Sequence, residues 1–93
     1  MCHIYAGTDP RCYESAARSI RIHGHVTSVR LENRFWEILE ELAAGEGSTL
    51  PHFLNRLHDE VMERQGEIGN FASLLRVVCT TYLQNRPSVD NAA

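Results

Sequence analysis

All nine basic side chains of this 93-residue chain are arginines, with no lysine among them. A guanidinium is a planar fork of N–H donors, a shape that suits phosphate oxygens and the O6/N7 edge of guanine better than an ammonium does. Their distribution matters more than their number. Residues 1–36 hold Arg11, Arg18, Arg21, Arg30 and Arg34 against Asp9, Glu14 and Glu32, a local balance of +2 in a chain whose formal net charge is -3. Residues 37–69 hold Arg56 and Arg64 against Glu37, Glu40, Glu41, Glu46, Asp59, Glu60, Glu63 and Glu67, a balance of -6. A polyanion responds to the local field rather than the sum, so the amino-terminal third is where one would be met.

The other reactive side chains form no recognisable constellation. His3, His23, His25, His52 and His58 supply no i,i+4 pair on one helix: His52 and His58 are six apart, and His23 and His25 flank Gly24 on an exposed segment. Surface histidines are the expectation. His3 stands third from Met1, a position where an amino terminus and its first amides can grip copper or nickel, but a frayed terminus is the reading adopted. Cys2, Cys12 and Cys79 are odd in number and match no zinc or redox spacing, which implies reduced thiols and no disulfide framework. No nucleophile stands beside a base, and no paired carboxylates stand out from the glutamate-rich solvated face. The expectation is a protein without metal or cofactor, and not an enzyme. Neither a secretory signal pattern nor a membrane-length apolar run is present in the sequence, which implies the cytoplasm and no membrane partner.

The elements that must position the arginines follow from periodicity. Residues 1–17 show none that lasts, and read as an irregular arm with one turn of helix near Tyr13 to Ala17; Ile4, Tyr5 and Tyr13 suggest that it docks on a surface. Arg18 to His23 alternates polar and apolar, Gly24 interrupts, and His25 to Leu31 reads as one short β-strand with no obvious partner in the chain. A lone strand cannot satisfy its own backbone, so pairing with the same strand of a second copy is the expected solution.

From Asn33 the period becomes helical, with Phe35, Ile38, Leu39, Leu42 and Ala43 on one face, Trp36 on its shoulder, and Gly45 and Gly47 as the stop. Ser48-Thr49 signals an N-cap and Pro51 a first turn, so a second helix runs from about Leu50 to Arg64 on Leu50, Phe53, Leu54, Leu57, Val61 and Met62. Asn70 caps a third, facing Phe71, Leu74, Leu75, Val78, Cys79 and Tyr82 inward. The tail after Pro87 is small and polar, and is expected to be disordered.

Strand, helix, the turn Gly47-Ser48-Thr49-Leu50, helix: this order resembles the ribbon-helix-helix fold of bacterial repressors. The run Val26-Thr27-Ser28-Val29-Arg30-Leu31-Glu32-Asn33-Arg34-Phe35-Trp36, with Asn70-Phe71-Ala72-Ser73-Leu74-Leu75-Arg76, resembles a small proteobacterial branch of that family across roughly residues 18–84. The resemblance implies a mostly α protein with one short strand. It would be an intertwined homodimer whose antiparallel two-stranded ribbon enters the DNA major groove, with an extra C-terminal helix. Its parts are an arm (1–17), a ribbon-helix-helix core (18–64), a third helix (65–86) and a tail (87–93).

Counting back from the turn, the resemblance points Val26, Ser28 and Arg30 at the bases and turns Thr27, Val29 and Leu31 inward. Arg30 would fork to guanine, Ser28 would make one hydrogen bond, and Val26 would touch only a thymine methyl. Phosphates would be met by Arg18 and Arg21 and by the second helix's N-terminus at Thr49, Leu50 and His52. The function implied is a sequence-selective transcriptional regulator on double-stranded DNA, with two dimers on adjacent half-sites for tight binding. The alternative is an antitoxin-like or adaptor module on the same fold, binding a protein through its arm or third helix.

Overall fold

A computed structural model describes residues 2–86, in the order α1 (Cys2–Ala6), α2 (Pro10–Tyr13), β1 (Ser15–Ile22), β2 (His25–Glu32), α3 (Asn33–Gly45), α4 (Leu50–Gln65) and α5 (Phe71–Asn85). The side chains of Cys2 and His3 and the expected disordered tail, 87–93, lie outside what is described.

The first correction concerns the strand. β2 does not wait for a second copy: it pairs antiparallel with β1, from Ser15↔Glu32 to Ile22↔His25, so the chain has two strands where the sequence suggested one. The connection is a two-residue loop, His23-Gly24, with both residues at positive φ (52° and 85°). That geometry matches the right-handed twist of paired strands, and glycine adopts it without a Cβ penalty. His23 carries the strain of a side chain in the left-handed region, and α4 holds it there. The His23 N–H donates to Asn55 Oδ1 at 3.1 Å, and Asn55 Nδ2 donates in turn to the carbonyls of Arg21 (2.8 Å) and Pro51 (2.9 Å).

β1 begins at Ser15, inside the stretch expected to be arm and in place of the helical turn expected over Tyr13 to Ala17. The short helix instead forms earlier, because Asp9 caps it and Pro10 occupies its first turn. The arm is tied down by its backbone rather than by its aromatic residues. Asn33 Nδ2 donates to the Arg11 carbonyl at 2.8 Å and the Asn33 N–H to the Glu14 carbonyl at 2.8 Å, while Ile4, Tyr5 and Tyr13 face solvent.

One face of the hairpin closes the core. Ile20 and Ile22 of β1 and Val29 and Leu31 of β2 are buried against Trp36, Ile38, Leu39, Leu42 and Ala43 of α3, Leu50, Phe53 and Leu54 of α4, and Leu75 and Cys79 of α5. Trp36, placed by periodicity on the shoulder of its helix, sits at the centre: it is 2% exposed and its Nε1–H donates to the Ala16 carbonyl at 2.9 Å. β1 supplies the wall that makes the shoulder an interior. α4 contributes only its first half, and Met62 near its end is exposed. Burial pushes the Cys79 thiol up to about 11, so it stays a protonated apolar filler.

Candidate nucleic-acid interface

Partners across an antiparallel ladder project to the same face, so the register assigns the hairpin's outer surface row by row. It runs Ser15–Glu32, Ala17–Arg30, Ser19–Ser28, Arg21–Val26. The inner surface carries Ala16–Leu31, Arg18–Val29, Ile20–Thr27 and Ile22–His25. Val26, Ser28 and Arg30 are exposed while Val29 and Leu31 are buried, as expected of the strand; Thr27, expected inward, takes the inner register but is exposed near the hairpin tip. β1 adds to the outer face Ser15 and Ser19, which the sequence reading missed, beside Arg21, which it had named for phosphate. The signal for them was two alternating runs separated by two residues, one a glycine; His-Gly is not one of the usual hairpin dipeptides.

The charges divide by face. Arg11, Arg18, Arg34, Arg56, Arg76 and Arg86 each stand within ion-pair distance of a carboxylate, on Asp9, Glu40, Glu37, Glu46, Glu32 and Glu41 respectively. Among the described residues no carboxylate pairs with Arg21 or Arg30 of the hairpin, nor with Arg64 in the last turn of α4. Arg30 Nη1 donates to Ser15 Oγ at 3.3 Å and Arg21 Nη1 reaches the Gly24 carbonyl at 3.5 Å, so both keep most of their donors for an outside acceptor. The one acid of this face, Glu32, accepts from Arg76 Nε at 3.0 Å, and that bond holds its carboxyl below the ordinary range. The rows of Arg21 and Arg30 are four residues apart along the strand, roughly 14 Å at ~3.4 Å per residue. The two guanidiniums thus stand at diagonal corners around the Ser19–Ser28 pair.

Arg18 is placed otherwise than expected. It shares the inner face with Val29, its guanidinium lies 4.6 Å from the centroid of the Trp36 ring, and Nη1 is 2.9 Å from Glu40 Oε2. Its charge is matched inside the protein, which separates it from the outer arginines. The N-terminus of α4 is also less open than the sequence suggested. Thr49 Oγ1 accepts from the His52 N–H at 3.3 Å and Pro51 has none to give, which leaves the Leu50 amide for an outside anion in that first turn. Leu50 itself is buried and anchors the helix end, while His52 is exposed beside it.

Three further groups come together at the tip. His23 of the loop contacts Asp59 of α4, and its ring packs edge-on against His58 at 5.9 Å between centroids. Spacing along the sequence gave no hint of this, because the hairpin brings residues 23 and 58 into contact. Among the described residues no helix is long and apolar enough to cross a membrane.

Comparisons with known proteins agree with this architecture. A family model described as the ribbon-helix-helix domain matches residues 15–83, a span that starts at the first residue of β1 and ends within α5. The solved structure of an uncharacterized protein from Bordetella pertussis Tohama I superposes with a TM-score of 0.88 at 42% identity, covering 100% of this chain and 78% of that one. No match to a curated protein was found.

Proposed function

Because the chain belongs to the ribbon-helix-helix family, whose members are in general DNA-binding regulators or antitoxins, we propose that it binds double-stranded DNA and regulates transcription. The hairpin's outer face would lie in the major groove. A two-stranded ribbon fits a groove ~12 Å wide, and here one chain supplies both strands. The observation that carries the reading is the division of the hairpin's arginines: Arg18 pairs with Glu40 on the inner face, whereas Arg21 and Arg30 lack carboxylate partners among the described residues, and the register puts both on the face that carries Ser19 and Ser28.

In this reading Arg30 reads guanine, Ser28 and Ser19 each offer one hydroxyl to a base edge, and Val26 meets a thymine methyl. Arg21 and the Leu50 amide hold phosphates, with Thr49 and His52 shaping that helix end. Arg18 acts from behind, keeping the inner face of β1 on Trp36. The hairpin pairs β2 along one edge within the chain and leaves its other edge open, and a second copy serves recognition. Two copies on adjacent half-sites double a contact set that is small in one.

Selection from a random duplex pool, followed by anisotropy titration of the winning sequence, tests this. The wild-type chain is expected to enrich a motif, and Arg30→Ala to lose about 1–3 kcal/mol of discrimination at one base position. Enrichment of nothing, or an Arg30→Ala chain that binds as the wild type does, would sink the reading. A protein-interaction module remains the second reading. It is favoured by Ile4, Tyr5 and Tyr13, which are 63–75% exposed on the arm, and by the acidic balance of residues 37–69.

A further inference from the structure

The cluster at the hairpin tip has no part in the proposed DNA contact, yet it has the composition and geometry of a metal site. We propose that His23, His58 and Asp59 bind one divalent transition ion of the zinc class and that this ion locks the ribbon's turn to α4. One ligating atom from each of the three lies within 4.8 Å of the others. A second observation points the same way. The Nδ1 atom of half-buried His58 is shielded from solvent and has no hydrogen-bond partner among the described residues, although a buried imidazole nitrogen ordinarily finds one.

The imidazole of His58 is held rather than free. It is wedged edge-on between the rings of His23 and Phe71, each at 5.9 Å between centroids, with interplanar angles of 67° and 75°. The unpartnered nitrogen therefore belongs to a ring oriented by packing, as a preformed ligand should be. His23 reaches the cluster from a backbone at positive φ, a conformation that Asn55 fixes through the His23 N–H. The strained loop thus delivers a ligand to the helix.

The donor set selects the ion. Two imidazoles and one carboxylate suit zinc and its neighbours, whereas magnesium and calcium call for oxygen shells. Tetrahedral zinc with ligands at ~2.0–2.1 Å sets the donor atoms roughly 3.3 Å apart. To admit the ion, the close His23–Asp59 contact must open and both groups must close on His58, which requires rotation of two side chains that are each 55% exposed. Water would fill the fourth position on that open side.

The test is cobalt(II) titration of the untagged full chain, read by the visible absorption of four-coordinate cobalt and followed by zinc competition. One equivalent per chain is expected. His23→Gln and Asp59→Asn alter exposed side chains, and each should weaken binding by at least the ~10–100-fold that loss of an outer-shell partner costs. Zinc should raise the melting temperature of the wild-type chain and leave that of Asp59→Asn where it is. A His3→Gln chain should bind as the wild type does, which separates this site from the amino terminus. No four-coordinate signal, unchanged affinity in His23→Gln and Asp59→Asn, or loss confined to His3→Gln would each overturn the proposal. The readout involves no DNA, so it stands or falls apart from the nucleic-acid reading.

Discussion

The two faces of one hairpin use the same residue type for opposite ends. Arg18, on the inner face, lies over Trp36 and pairs with Glu40, so its guanidinium serves the fold. Arg30 is nearly opposite in sequence register, on the neighbouring row, and among the described residues its guanidinium meets a serine hydroxyl and no carboxylate. A one-residue change of parity along a strand decides whether an arginine is structural or available. Charge counted along the sequence cannot distinguish them; charge counted by face can.

Because of that division, substitutions on the two faces should fail in different assays. Trp36→Ala, behind the inner face, removes the centre of the core and its bond to Ala16, and should cost about 3–5 kcal/mol in denaturant unfolding. Arg30→Ala should leave the unfolding midpoint in place and weaken DNA binding by about 1–3 kcal/mol. Asn55→Ala tests the loop that joins the faces. It strips partners from the His23 amide and from the Arg21 carbonyl, and should destabilise by about 1–3 kcal/mol in the same unfolding measurement. Arg18→Ala should do the reverse of Arg30→Ala, costing about 0.5–1 kcal/mol of stability for a half-exposed pair and ring contact while DNA affinity stays level.

The smallest effect is acid sensitivity. The Tyr82 hydroxyl and then Arg86 hold the Glu41 carboxyl below its ordinary value of 4.5, and Arg76 does the same for Glu32. A depressed carboxyl contributes stability above its unfolded value and loses it as pH falls through the folded one. Melting temperature should therefore fall on acidification below about pH 4.5, and Glu41→Gln should flatten part of that limb while leaving the outer face untouched.

Much of this was legible in the sequence, and the exceptions share a cause. Helical faces are local, so α3, α4 and α5 follow from three- and four-residue spacing, and Thr49 and Asn70 cap where their side chains and positions suggest. The outward set Val26, Ser28 and Arg30 was legible for the same reason, since alternation is local too. What escaped depends on which segments meet. β1 was visible as an alternating run, but a His-Gly loop is an unusual hairpin turn, and without the hairpin β2 had no partner, Arg18 had no face and Trp36 no wall. Without the hairpin, too, His23 and His58 remained two unrelated histidines.

Salt dependence of DNA binding tests the central claim most directly, namely that the outer face of the hairpin meets the duplex while the inner face does not. The slope of log K against log salt, measured by anisotropy on a selected duplex, should be steep for the wild-type chain. It should fall by about 1 in Arg21→Ala and stay unchanged in Arg18→Ala. A flat wild-type slope, or one that Arg18→Ala lowers and Arg21→Ala does not, would contradict it.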